Sequence, residues 1–117
     1  MTIAVEIFPF GPPQETLWRH FPLQGVFRHR LKAPDHEDYR LVELSRPVSL
    51  DGTLIRFVVL WPCSGSLAQH PANLPFTVGL DLVFDESLVE QEFMIFDKCE
   101  PVGFAQAIIV DALAASA

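Results

Sequence analysis

The sequence predicts a mainly β fold: a mostly antiparallel β-sandwich or partly open barrel of about seven short strands, with one or two short helices. Residues 54–61 form the most strand-like stretch, since β-branched and aromatic residues surround a single charge. The chain has 10 prolines, which fall mostly between apolar runs. Proline lacks the N–H that a strand ladder needs, so this spacing favours short strands over long helices. An α+β fold, with a helix and the tail covering one sheet, is the alternative.

The composition indicates one domain with more apolar residues than its interior needs. The 117 residues are 50% hydrophobic and only 20% charged, so we expect residues 1–117 to fold as one domain. A small domain cannot bury all of this apolar surface, and exposed apolar patches usually mark an interface or a ligand groove. We therefore expect a homodimer or higher homo-oligomer, with an apolar small molecule or another protein as further candidate partners.

The sequence gives no sign of export or of a membrane segment. No apolar run approaches the roughly 18 to 20 residues that a membrane helix needs. The first residues lack the basic and hydrophobic regions of a signal peptide. We therefore expect a soluble, cytoplasmic protein without membrane contact, in which Cys63 and Cys99 are reduced and mostly buried thiols.

The charge of this acidic protein is unevenly distributed. The net charge is −7, and residues 61–117 carry eight acidic side chains against Lys98 alone. Arg28, Arg30 and Lys32 form the only basic cluster, so nucleic-acid binding is not expected. This basic strip is interpreted as a solvated strand face. The alternative is contact with the acidic segment 85–92, within one subunit or between two.

The first third of the chain predicts a strand, a short helix and a second strand. Residues 2–8 alternate weakly and are predicted to be a strand. Residues 14–21 follow Pro13 and are predicted to be a short helix, because proline suits the first turn. Residues 24–31 alternate again, and their inward side is predicted to be Phe27, His29 and Leu31.

The polar loop at residues 35–38 is a weak candidate for a metal site. It reads Asp-His-Glu-Asp and therefore carries the right ligand atoms. Consecutive loop residues seldom converge on one ion, however, because metal ligands must meet in space. We predict no metal and no cofactor.

Tyr39–Leu50 and residues 53–61 are predicted to form a β-hairpin around Asp51-Gly52. Asp-Gly is typical of a two-residue type I′ turn, in which both central residues need positive φ. This turn sets the pairs Leu50/Thr53, Val48/Ile55, Leu44/Val59 and Val42/Trp61. A three-residue loop is less favoured, because it would place Arg46 opposite Arg56.

This register predicts which side chains of the second hairpin strand are buried. The predicted core side holds Ile55, Phe57, Val59 and Trp61. The other, half-covered side holds Leu54, Val58 and Leu60 beside Arg56. If nothing covered these three, they would form an apolar patch that needs a partner.

The rest of the chain predicts a long connection and two more strands. Residues 62–75 form a connection about as long as structureless ones normally get. Residues 76–84 alternate clearly, with Thr77, Gly79 and Asp81 facing outward. Ser87 and Glu90 are spaced as a capping box for one helical turn. Residues 102–110 are predicted to be a strand, although their alanines also permit a helix that continues into residues 111–117.

The long connection also carries the candidate chemistry. The phosphate-loop, dinucleotide, His-Glu-x-x-His, Cys-x-x-Cys and Gly-x-Ser-x-Gly patterns are missing from the sequence. Cys63 and His70 form a candidate nucleophile and base, and Trp61, Ser64, Gly65 and Ser66 are candidate ligand contacts. The favoured hypothesis is a non-catalytic binding or interaction module that self-associates. The alternative is a small Cys/His-dependent hydrolase or acyl transferase.

Overall fold

Six antiparallel strands close into a barrel. The computed structural model describes residues 3–9, 20–34, 38–50, 52–63 and 72–110. The strands are β1 (Ala4–Pro9), β2 (Leu23–Leu31), β3 (Tyr39–Leu50), β4 (Thr53–Pro62), β5 (Phe76–Val83) and β6 (Cys99–Val110). Each pairs with its neighbours along the chain, and β6 pairs with β1. Two short 3₁₀ helices, Glu86–Glu90 and Phe96–Lys98, lie between β5 and β6.

The prediction of a mainly β, antiparallel barrel is confirmed, but its strand count and its partly open form are corrected. The barrel is closed because Ala4–Pro9 pairs along its whole length with β6. The apolar run at residues 93–96 adds no strand to the described fold, since Phe93 makes an isolated parallel bridge with Lys32. Residues 102–110 form a strand, as predicted. Most of the predicted helix at 14–21, and the tail after Val110, lie outside the described residues.

The barrel interior is filled by side chains from all six strands. Barrels of few strands have narrow interiors that side chains can pack completely. The buried set is Val5, Ile7, Leu23, Val42, Leu44, Val48, Ile55, Val58, Leu60, Phe76, Val78, Leu80, Leu82, Ala105 and Ala107. This first core holds the strands in register.

The β3–β4 hairpin confirms the predicted turn and corrects the predicted register beyond it. Leu50 pairs with Thr53, and Val48 pairs with Ile55, as the two-residue turn requires. Gly52 has a φ of 83°, the left-handed conformation expected at this position. The register then shifts, so that Glu43 pairs with Phe57 and residues 44–47 lie opposite Arg56 alone. The predicted pairs Leu44/Val59 and Val42/Trp61 are therefore wrong.

The register shift reverses the predicted faces of β4. Beyond Ile55, the interior residues are Val58 and Leu60, both fully buried in the first core. Val59 belongs to a separate buried cluster, against which Phe57 and Trp61 pack. The apolar patch predicted from Leu54, Val58 and Leu60 does not form, and only Leu54 remains exposed.

A smaller irregularity changes β2 in the same way. The pairing of β2 with β3 shifts between Phe27 and His29, which leaves Arg28 as the extra residue. Phe27 packs against the barrel interior, whereas Leu31 lies in the second cluster. The predicted inward position of His29 is wrong: its side chain is exposed, and its Nε2 lies 3.2 Å from the carbonyl oxygen of Gln91.

The second core lies outside the barrel, beneath the connection from β5 to β6. This covering segment, residues 84–98, contributes Leu88 and Met94 to the cluster. Its far end is fixed to β2, because the Lys32 N–H donates to the Glu92 carbonyl and the Met94 N–H donates to the Lys32 carbonyl. The outer-core members are Leu31, Tyr39, Leu41, Val59, Val83, Leu88, Met94 and Cys99.

The helical turn predicted at residues 87–90 exists, but Asp85 caps it rather than Ser87. The Asp85 carboxylate accepts a hydrogen bond from the Ser87 backbone N–H at 3.1 Å, as an N-cap residue does. Lys98 Nζ donates to the same carboxylate at 3.0 Å. Hydrogen bonds from the Ser87 hydroxyl, first, and from Lys98 lower the pKa of Asp85 to about 2. The turn is therefore tied to the start of β6.

The basic strip pairs with acidic side chains within the chain. Lys32 Nζ lies 2.5 Å from Glu92 Oε1, which joins the strip to the acidic covering segment. Arg28 pairs instead with Glu43 at 3.2 Å and Arg30 with Asp38 at 3.5 Å. Contact with the acidic segment is thus correct for Lys32 and wrong for the two arginines. Exposed pairs of this kind contribute little stability each.

We expect Leu88→Ala to destabilise the protein by about 3 kcal/mol, because it removes a fully buried side chain from the outer core. Leu54→Ala is the matched control: Leu54 is 55% exposed, so its loss should cost about 0.5 kcal/mol or less. Urea unfolding followed by circular dichroism measures both. Equal effects of the two variants would contradict the description of residues 84–98 as a structural cover.

Candidate functional site

Trp61 lies at the centre of an aromatic surface on the outside of the barrel. It pairs with Gly79 in β5, and Gly79 pairs in turn with Phe104 in β6. The indole lies directly on Gly79: a Cβ added there would be 1.9 Å from Trp61 Cε2. Glycine is therefore required at this strand position, because any side chain would displace the indole.

Four rings form a continuous row, which we call the aromatic face: Phe96, Tyr39, Trp61 and Phe104. The centroid distances along the row are 5.6, 6.4 and 6.2 Å, within the range of favourable edge-to-face and tilted contacts. Phe96 and Phe104 are 50% and 54% exposed, whereas Tyr39 is buried. The row therefore has a fixed centre and two open ends.

The buried carboxyl group of Asp81 holds the indole in place. Asp81 is only 7% exposed, and its side chain accepts a hydrogen bond from Trp61, whose indole N–H is its only side-chain donor. Burial raises the pKa of Asp81, and the hydrogen bond from Trp61 opposes this shift. Asp81 therefore orients the indole, and the hydrogen bond from the indole N–H stabilises the negative charge of Asp81.

The buried Cys99 thiol near Asp81 is held in its protonated form. Burial, first, and the negative charge of Asp81 raise the pKa of Cys99 to about 12. Because the thiolate is the nucleophilic form of cysteine, Cys99 has a structural role in the outer core.

A polar pair borders the aromatic face. Gln106 Nε2 donates to Thr77 Oγ1 at 3.1 Å, and these residues pair one step along the same side of β5 and β6 from Gly79 and Phe104. The pair offers hydrogen-bonding groups beside the open ring of Phe104. The surface thus combines an apolar centre with a polar border, as specific interfaces do.

Of the sequence-predicted site residues, the structure describes Trp61 and Cys63. The Cys63 backbone N–H donates to the Thr77 carbonyl at 3.2 Å, which places it beside β5. Its thiol is exposed, which corrects the expectation that both cysteines are buried; Cys99 is buried as expected. The other predicted site residues, Ser64, Gly65, Ser66 and His70, lie outside the described residues. The Cys63–His70 pair therefore stays a prediction.

Sequence reasoning missed the partners of Trp61. The predicted outward position of Asp81 is correct, yet its side chain is buried and accepts a hydrogen bond from Trp61. One signal was available for Gly79, since a lone glycine within a strand pattern indicates close approach of another group. Nothing in the sequence pointed to Phe104 or Phe96.

The candidate metal loop contributes one described residue, Asp38. Its Oδ1 accepts a hydrogen bond from Arg40 Nε at 2.7 Å, and Arg30 lies 3.5 Å away. Its carboxylate is thus engaged in ion pairs. Within the described ranges, no group of three or more His, Cys, Asp or Glu side chains is arranged to hold a metal. The helices in those ranges are also too short and too polar to cross a membrane.

Comparisons of this chain with protein-family models, with curated proteins and with solved structures found no match. What the site can bind is therefore inferred from its own residues. The aromatic face offers exposed ring surfaces, one indole held in place and a hydrogen-bonding border. These groups suit apolar contact with a partner.

We expect Gly79→Ala to cost about 1 to 3 kcal/mol of stability, because the new methyl group collides with the indole. In a Trp61→Val background the same substitution should be neutral or stabilising, since alanine restricts the unfolded chain. Urea unfolding of the four proteins gives the coupling energy between the two positions. An equal cost in both backgrounds would contradict the contact of the indole with Gly79.

We expect Asp81→Asn to increase stability at neutral pH. The folded state raises the pKa of Asp81, so its stabilising contribution is present below the unfolded pKa and is lost as the pH rises through the folded pKa. The advantage of the asparagine variant should therefore vanish below the ordinary Asp pKa of about 3.9. Unfolding free energies across this pH range measure it, with exposed Asp97→Asn as control. A variant less stable than the wild type at neutral pH would contradict the prediction.

Proposed function

We propose that this chain is a non-catalytic interaction module that self-associates through the aromatic face, with a second copy of the chain as the partner. The observation that carries the proposal is the row of rings with half-exposed Phe96 and Phe104 on either side of an anchored Trp61. Large apolar side chains exposed as a contiguous group usually mark an interface.

The closed barrel limits how two copies can associate. Every described strand pairs on both sides, so these strands leave no sheet edge to which another strand could add. Self-association through the described strands must then use side chains on the outer surface. The aromatic face supplies them, and it joins three strands and the covering segment.

The rings are positioned before any partner arrives. Gly79 lets the indole lie flat on β5, and Asp81 holds its N–H. Tyr39 is buried between the indole and Phe96. Fixed aromatic side chains lose little conformational entropy on binding, and Trp and Tyr are enriched among residues that dominate interface energies. A two-fold axis would bring the same face of each copy together.

Electrostatics permits this contact even though the chain carries a net charge of −7. Close to the aromatic face, Asp85 is paired with Lys98, two residues beyond Phe96. Exposed Asp97 lies next to Phe96 and adds a repulsive charge close to the interface. Salt screens this repulsion and that of the other exposed acidic side chains. We propose that this self-association takes place in the cytoplasm, where free thiols such as Cys63 and Cys99 persist.

We expect Phe104→Ser to weaken self-association about tenfold or more, because it removes the exposed ring that packs against Trp61 in the proposed interface. Leu54→Ser is the control. Leu54 is as exposed as Phe104, but it lies seven residues from Trp61 along β4, roughly 23 Å at 3.3 Å per residue. Analytical ultracentrifugation at low and high salt measures the dissociation constants. Added salt should strengthen the association of the wild-type chain.

Three outcomes would contradict this proposal. The first is a wild-type chain that is monomeric at every concentration and salt level. The second is equal weakening by Phe104→Ser and Leu54→Ser. The third is association that weakens as salt is added, because surface ion pairs would then be the main contact.

A further inference from the structure

A second candidate site shares no residue with the aromatic face. A cavity of about 410 Å³ lies where the start of β2 meets the end of β3. Residues 44–47 of β3 face only Arg56 of β4, so this part of β3 has more residues than its partner strand can pair. Such irregularities move side chains out of the ladder and often border functional sites.

Arg46 lines this cavity and differs from the other described cations. Six of them each lie within ion-pair distance of a carboxylate: Arg28, Arg30, Lys32, Arg40, Arg56 and Lys98. Arg46 makes no ion pair within the described part of the chain. Among the described residues this guanidinium beside a cavity has no acidic partner, so it is a candidate to bind an anion from solution.

The other polar groups around the cavity suit the same ligand. The lining also includes His20, Gln24 and Ser45, whose side chains are polar, and Pro22 and Pro47, whose rings are apolar. We propose that this cavity binds a small organic carboxylate. Arg46 would hold the carboxylate through two parallel hydrogen bonds, and the prolines would contact the apolar body of the ligand.

The cavity favours a carboxylate over a phosphate or an extended polyanion. Arg46 is the one arginine or lysine among the described residues of the lining, so it balances a single negative charge. Its planar guanidinium matches the two oxygens of a carboxylate. The volume of about 410 Å³ is also within the range of pockets for small molecules, which begins at about 300 Å³.

The test uses benzoate as the carboxylate, benzamide as its neutral analogue and inorganic phosphate as a competing anion. Each is titrated into the full-length, ¹⁵N-labelled chain and followed by the backbone amide signals. We expect saturable shifts from benzoate at Leu23, Gln24 and Ser45, which border the cavity. Benzamide should bind about tenfold more weakly or not at all, because it lacks the negative charge that pairs with Arg46. Phosphate should also bind about tenfold more weakly, because it has no apolar body to contact the prolines.

Arg46→Gln should weaken benzoate binding about tenfold or more, while it keeps hydrogen-bonding ability. Arg30→Gln is the matched control: it removes the same charge from the far end of β2, where Arg30 lies near Asp38, and should leave benzoate binding unchanged. Thermal unfolding checks that both variants fold. Arg46→Lys should bind with intermediate strength, because lysine keeps the charge but not the two parallel donors.

Several results would overturn the proposal: no saturable benzoate shifts in the wild type, shifts outside the cavity, or equal binding of benzoate and benzamide. Phosphate binding as strong as that of benzoate would overturn the assignment to carboxylates. Binding unaffected by Arg46→Gln would overturn the role of Arg46. None of these results depends on self-association through the aromatic face, so the two proposals fail separately.

Discussion

The structure depends on burying both faces of the sheet formed by β3, β4 and β5. The inner faces fill the barrel, and the parts of the outer faces that form the second core lie under residues 84–98. β5 shows this most clearly, because seven of its eight residues are buried. A long connection has to be ordered to cover the outer face. Hydrogen bonds to Lys32 hold this connection in place. The barrel and its cover therefore stabilise each other.

Local chemistry made the strand bounds and the tight turn predictable. Tyr39–Leu50 and the pairing of Leu50 with Thr53 follow from Asp51-Gly52 and the flanking apolar runs. The faces beyond Ile55 were not predictable in this way. Alternation identifies a buried face only when the other face is polar, and residues 57–61 are all apolar because both faces are covered. The lack of polar residues at 57–61 was itself an indication that both faces of this strand are buried.

The candidate site was only partly predictable for a related reason. Trp61 follows from its position near the end of the central strand, but its neighbours come from β5 and β6 through pairings that no local pattern specifies. Asp81 reads as an ordinary solvent-facing acid in an alternating strand. Its burial results from the indole above it and the outer core beside it, which exist only after the strands have assembled.

One irregularity in β3 influences both the aromatic face and the cavity. The extra residues of β3 opposite Arg56 shift the register by an odd number, so Val58 and Leu60 turn inward while Phe57, Val59 and Trp61 turn outward. Ser45 and Arg46 are among these extra residues, so they lie outside the ladder, where they border the cavity. In a regular hairpin Trp61 would point into the barrel, and Arg46 would pair with Phe57 in a continuous ladder. The aromatic face and the cavity therefore share one structural origin in β3.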